Sequence, residues 1–215
     1  MALTKFNFNS FDLTTVASTG LAFNSSANGF DTAAAGAMTL IATNTISSGV
    51  SSSSFTSGID STYDTYLFKF INLHFSANDN AFFVKFRDGG SDFDATKTTT
   101  FFFSQHKEDA SGGAVSYDAD RDLAQSTGGH FLHLTTLSDN DASNSGEMFL
   151  FNPSSTTFVK HFIARVQGMS GAPKTVDAFT TGYANVTAAI DGVEFSSSSG
   201  TIDSGVIKMY GLSKS

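Results

Sequence analysis

Apolar side chains alternate with polar ones along most of this chain, and a period of two predicts β-strands. Phe6 and Phe8 alternate with Asn7 and Asn9 at the start, and residues 21 to 36 are small and turn-like. Met38, Leu40 and Ala42 then alternate with Thr39, Ile41 and Thr43. A serine run, Ser51 to Ser54, leads into Phe55 and reads as an edge strand or the approach to one. The most apolar stretch runs from Tyr63 to Phe75, with Tyr66, Phe68 and Phe70 on one face and Leu67, Ile71, Leu73 and Phe75 on the other. Apolar on both faces, it predicts a central strand or one covered by a neighbouring subunit.

Farther on, Phe82, Val84 and Phe86 alternate with Lys85 and Arg87, a strand with one face in water. Arg87 to Asp92 reads as a hairpin turn, and Phe101 to Phe103 resume a strand. Residues 104 to 129 are polar and read as a long excursion. Leu132 and Leu134 alternate with Phe131 and His133, and Met148 to Phe151 form a short strand. Phe162, Ala164 and Val166 oppose His161, Ile163 and Arg165; residues 167 to 175 read as a loop. Strands around Phe179 and Tyr183, Val193 and Phe195, and Val206 to Tyr210 complete the set. No segment keeps a helical period over three turns. Ten to twelve short strands separated by turn signals predict an all-β fold, a single antiparallel β-sandwich of jelly-roll type. We read one domain over residues 1–215, with residues 1–36 as an N-terminal arm or edge strand.

Composition supports strands and narrows the partners. The 215 residues include 23 Phe, no Trp, no Cys and only Pro153 and Pro173 as prolines. Phe and Thr suit a pleated surface, while Gly, Asn, Asp and Ser make turns. The net charge of −8 opposes nucleic acid and anionic membrane surfaces as partners, because both need clustered Lys and Arg. Without Cys there is no disulfide, no thiolate-bound zinc and no cysteine nucleophile. The sequence has no apolar run of the kind that makes a signal peptide or a membrane span, so synthesis in a cytoplasm is expected.

The candidate chemistry is sparse. His130 and His133 are the one close histidine pair. Three positions apart in a strand, they would point to opposite faces, one of them inward, and could not share a metal. His74, His106 and His161 have no ligand spacing. Asp88-Gly89-Gly90-Ser91-Asp92-Phe93-Asp94 has the look of an acidic calcium loop, but lacks the alternating carboxylates and distal Glu of an EF-hand. A turn with Gly at positions of positive φ explains it without an ion, which leaves calcium binding open. Asn78-Asp79-Asn80 and Asp139-Asn140-Asp141 read as turns in the same way. Gly168-Met169-Ser170-Gly171 does not match a nucleophile elbow. A glycosidase would need two carboxylates across a cleft, and the acidic residues sit mostly in turn contexts. The reading is therefore non-enzymatic, with no catalytic, cofactor or metal residues assigned. Among the five Tyr, Tyr117 is the one expected to be exposed. The phenylalanines read as core and subunit contact.

Three stretches carry a resemblance. They are Thr39 to Thr43 followed by Phe55 to Tyr66, the turn Arg87 to Asp94, and the C-terminal run Ile190 to Phe195 with Ser199 to Leu212. In order and spacing the chain resembles small virion structural proteins of phages infecting aquatic bacteria, and modules of phage fibre and tail-appendage proteins. The resemblance implies a β-sandwich in an assembled particle, located on the virion. It implies a homo-oligomer, trimeric by analogy with similar jelly rolls, and other virion proteins such as the major capsid protein as partners. An exterior head decoration or cement protein is the favoured role. The alternative is a tail-associated receptor-binding or fibre-tip protein that recognises host surface glycan. The motifs are structural, so no site residues follow from them.

Overall fold

The computed structural model describes residues 21–23, 30–32, 37–171 and 173–212. Contacts within the chain divide it into residues 1–37 and 38–215. In the first unit, β1 (Leu21–Phe23) and β2 (Phe30–Thr32) pair antiparallel, with Ala22 opposite Asp31. Strands of three residues are too short to display a period of two, which is why this stretch reads as turns. The alternation at Phe6 and Phe8 lies outside the described residues.

Among its described residues the second unit holds twelve strands. They are β3 (Met38–Ile46), β4 (Ser52–Phe55), β5 (Thr65–Phe75), β6 (Phe82–Arg87), β7 (Lys97–Lys107), β8 (Gly113–Tyr117), β9 (His130–His133), β10 (Asn144–Phe151), β11 (Lys160–Ser170), β12 (Lys174–Ala184), β13 (Gly192–Ser197) and β14 (Ile202–Leu212). One sheet has the order β3-β14-β5-β10-β11-β12-β7-β8, the other β4-β13-β6-β9. Number β3, β4, β5, β6, β9, β10, β13 and β14 from one to eight. The sheets then carry the orders 1-8-3-6 and 2-7-4-5, two Greek keys folded as a jelly roll. The four remaining strands are two inserted hairpins, β7–β8 and β11–β12, which widen the first sheet to eight strands. The all-β sandwich expected from the alternation is the fold that forms, and β4 lies at the edge of its sheet as the serine run predicts.

The core lies between the sheets. Its centre is an aromatic cluster around Phe195 of β13, whose ring meets Phe55, Phe68, Phe70 and Phe82 at centroid distances of 5.0 to 6.3 Å. The edge-to-face contacts with Phe55, Phe68 and Phe70 add to the roughly 1.5–3 kcal/mol from burying each ring. A smaller cluster of Phe101, Leu134, Val176 and Ala178, with Phe103 and Phe131 against it, fills the space under the inserted hairpins.

Two strands depart from simple alternation, for one reason. In β5, Tyr66, Phe68 and Phe70 face the core as expected, but so do Leu73 and Phe75. Between them the register slips against both neighbours, and Asn72 adopts a left-handed conformation (φ 49°). This β-bulge inserts an extra residue and reverses the parity beyond it. Leu67, Lys69 and Ile71 are left on the outer face. Opposite the bulge, Gly205 of β14 sits at φ 125°, where an added Cβ would lie 2.7 Å from the Asn72 carbonyl oxygen. Gly205→Ala is expected to cost about 1–3 kcal/mol, from strain and the close approach together. Chemical denaturation at neutral pH measures it, and a loss under about 0.5 kcal/mol would show that the bulge does not need glycine.

Several stretches taken for loops are strands. The first part of the polar excursion is the end of β7 and the whole of β8, and residues 167 to 175 are mostly the close of β11 and the opening of β12. β10 begins at Asn144, four residues earlier than its apolar part. The turn after Arg87 has Gly89 and Gly90 at positive φ as expected, yet it makes no hairpin. β6 and β7 lie in different sheets, so residues 88–96 carry the chain across the sandwich. Glycine at positive φ reverses a chain equally well at a hairpin and at a corner between sheets; the pairing is decided by distant strands.

Candidate functional site

The outer face of the eight-stranded sheet carries the most ordered set of exposed side chains. Two rows cross it. In one, Tyr210, the buried Leu67, Phe149 and Ile163 stand side by side on β14, β5, β10 and β11. In the next, Lys208, Lys69, Glu147 and Arg165 continue into Phe179, Phe102 and Tyr117 on β12, β7 and β8. From Lys69 to Tyr117, each group in this second row is held by a neighbour. Lys69 pairs with Glu147, and Arg165 forks onto Asp177, donating from Nε at 3.0 Å and from Nη2 at 2.6 Å. The Arg165 guanidinium also lies 5.0 Å above the Phe179 ring, which stacks nearly parallel on Phe102 at 4.8 Å. Tyr117 hydroxyl donates to the Asp122 carboxylate, and this bond raises the phenol above its ordinary value.

This face is apolar and aromatic in parts, and four of its charges are matched within the surface as Lys69–Glu147 and Arg165–Asp177. Phe102, Ile163, Ile71 and Tyr117 remain exposed. A depression of about 380 Å³ lies across Lys69, Glu147, Arg165, Gln167 and Asp177, shallow and open to solvent. Tyr117 is exposed as expected. The pairs Lys69–Glu147 and Arg165–Asp177 join residues 78 and 12 positions apart. The one local signal of them is that all four side chains occupy the polar positions of alternating strands.

Histidines 130 and 133 end in a different place from the one their spacing predicts. Both are fully buried. The pairing of β9 with β6 slips so that Phe82 faces His133 while Phe83 faces Phe131. This bulge at the end of β9 again reverses parity, turning His130, Leu132 and His133 all inward. His130 Nδ1 lies 2.9 Å from Thr99 Oγ1. That hydroxyl also accepts the Leu123 N–H at 2.8 Å, while His130 Nε2 is buried without a hydrogen-bond partner among the described residues. His133 packs beside Asn144 and Gly168, near the backbone of Val176 and Thr135. Burial pushes His130 down to about 3 and His133 down to about 4, so both are neutral at pH 7.

Two buried lysines, for which the sequence holds no local signal, flank Ala184. Lys97 and Lys160 stand opposite it on β7 and β11. Lys97 Nζ donates to the Ala95 and Thr127 carbonyls, at 2.9 and 3.4 Å, and Lys160 Nζ to those of Val186 and Ala188. They pin the loops at one end of the sandwich. Burial, with repulsion from Lys85, pushes Lys97 down to about 8. The unfolded chain therefore holds more protons between pH 8 and 10.5, and Lys97 makes stability rise with pH across that window. Comparing wild type with Lys97→Met, which cannot titrate, is expected to show wild type gaining about 2–3 kcal/mol on the variant from pH 8 to 10.5. Denaturant midpoints at several pH values measure it, and a constant difference would refute it.

The remaining candidates stay apart. His74 Nε2 donates to the Asp139 carbonyl oxygen at 3.2 Å and the ring lies 3.6 Å from Asp203, and His161 rests on Tyr183. Within the acidic turn, Ser91 donates to Asp92, and the Phe93 ring lies under Arg87. Among the described residues, no three His, Asp or Glu side chains converge in a way that would hold a metal. No helix among them is long and apolar enough to cross a membrane. No protein-family model and no curated protein matches the chain.

Proposed function

We propose that this protein is a non-enzymatic structural component of a bacteriophage particle, and that it decorates the exterior of the head. It fastens neighbouring subunits through contacts with itself and with other virion proteins such as the major capsid protein. The observation that supports this most is the outer face of the eight-stranded sheet. Aromatic and aliphatic side chains there alternate with ion pairs that are already formed. Arg and aromatic residues are enriched in protein interfaces, whereas a polyanion would require unpaired cations. Pre-formed pairs hold the side chains in place, so docking orders little that is still loose. Jelly rolls build both viral shells and lectins, so the fold is compatible with either role on a particle.

The depression over Lys69, Glu147, Arg165, Gln167 and Asp177 favours a second reading, a tail-borne protein that recognises host surface glycan. Imaging of labelled particles separates the two. Label distributed over the head supports decoration, whereas label confined to the tail tip, with binding to host polysaccharide, replaces it with the receptor reading.

A further inference from the structure

β8 forms one edge of the eight-stranded sheet, and its neighbours define which of its backbone groups are free. Lys107 N–H donates to Gly112 O at 3.0 Å, and Asp118 N–H donates to Phe101 O at 3.2 Å. In an antiparallel pair such bonded positions recur every second residue. Ala114 and Ser116 therefore turn their N–H and C=O toward β7. Gly113, Val115 and Tyr117 turn theirs outward, away from the sheet.

This edge lacks the devices that keep edges single. It holds no charged residue and no proline, and its register against β7 has no bulge. Val115 and Tyr117 on one face are 79% and 65% exposed, and on the other Ala114 is exposed and Ser116 half-buried. A strand of five residues held on one side only is marginal by itself.

We infer that β8 pairs antiparallel with β8 of a second copy across a two-fold axis through Val115, joining two eight-stranded sheets into one continuous sheet. The free groups are their own complement about that point. Val115 meets the partner's Val115, and Gly113 meets the partner's Tyr117. All three pairs are of the bonded kind, so six N–H···O bonds form. The Tyr117 ring covers the partner's Gly113, a pairing in which an aromatic side chain shields a glycine backbone. With no charge on either strand, nothing in the edge selects a different sequence over its own copy. Pairing through β8 is a property of the chain itself and holds wherever on a particle the protein sits. It is a two-fold contact, distinct from the trimer that the resemblance implies.

Five residues bury less than a standard interface, so the contact is weak in solution and gains strength when copies are held side by side. Sedimentation equilibrium from micromolar to about 1 mM protein tests it. Wild type is expected to shift from monomer toward dimer across that range. Val115→Pro removes an N–H that points outward and is bonded to none of the described residues, so it leaves the fold intact and abolishes the dimer. Val115→Lys places two ammonium groups beside each other on the axis and abolishes it without touching the backbone. In wild type, amide exchange at Gly113, Val115 and Tyr117 slows as concentration rises. A wild type that stays monomeric, a closed trimer, or a dimer that persists in both variants would overturn the inference.

Discussion

Lowering the pH from 6.5 toward 4 is expected to unfold this protein, with His130 and His133 as the dominant cause. Both rings are fully buried and neutral, and their folded values of about 3 and about 4 lie below the ordinary 6.5. The unfolded chain thus takes up protons that the folded chain refuses. Their contribution to stability is complete above pH 6.5. It is lost as pH falls, down to about 4 for His133 and about 3 for His130. While both titrate, stability drops by about 3 kcal/mol per pH unit, roughly 7 kcal/mol by pH 4. A domain of this size has about 5–15 kcal/mol to lose. Little nearby offsets the cost. Lys97 opposes a charge on His130, and at His133 the distant Asp177 and Lys174 act in opposite directions. Denaturant midpoints from pH 7 to 4.5 measure the slope. His133→Leu should halve it whatever that variant loses in packing, because the slope counts protons while a cavity shifts every pH alike. A wild-type stability flat over this range would refute the account.

How much of this was legible in the sequence depends on which residues are considered. β6, and β11 as far as Val166, read correctly, because a strand with one wet face writes its burial directly into alternation: Phe82, Val84 and Phe86 in one, Phe162, Ala164 and Val166 in the other. β5 and β9 read correctly only as far as their bulges. Whether Leu73 or His133 faces inward depends on Asn72, Gly205 and the slip at Phe82, which are matters of pairing with distant strands. β8 escaped notice for the opposite reason. With both faces in water it has no apolar side, so Gly-Ala-Val-Ser-Tyr resembles a loop. The outer-face pairs and the buried lysines share this limitation: each residue is ordinary in its own stretch and acquires a role only from the strand beside it. The jelly-roll order itself follows from the same logic, since turn signals mark where the chain reverses but not which sheet it enters.

Phe195→Ala is expected to be the most damaging single truncation in the core, at about 3–5 kcal/mol. β13 lies between β4 and β6, so its backbone is paired on both sides and cannot slide to close a cavity. Phe195 also faces Phe68 and Phe70 of the opposite sheet, and with Phe55 and Phe82 these rings pack on it from both layers. Removing it takes away the contacts of four rings at once, three of them edge-to-face, and leaves those rings without that neighbour. Phe102→Ala supplies the contrast. That ring is stacked on Phe179 but lies on the outer face, 42% exposed, so its loss is expected to cost under about 1.5 kcal/mol. Urea titration of both variants at neutral pH decides the matter through the midpoint at unchanged slope. If Phe195→Ala costs no more than Phe102→Ala, the aromatic cluster is not what holds the two sheets together. The smaller cluster of Phe101, Leu134, Val176 and Ala178, under the inserted hairpins, would then be the next place to look.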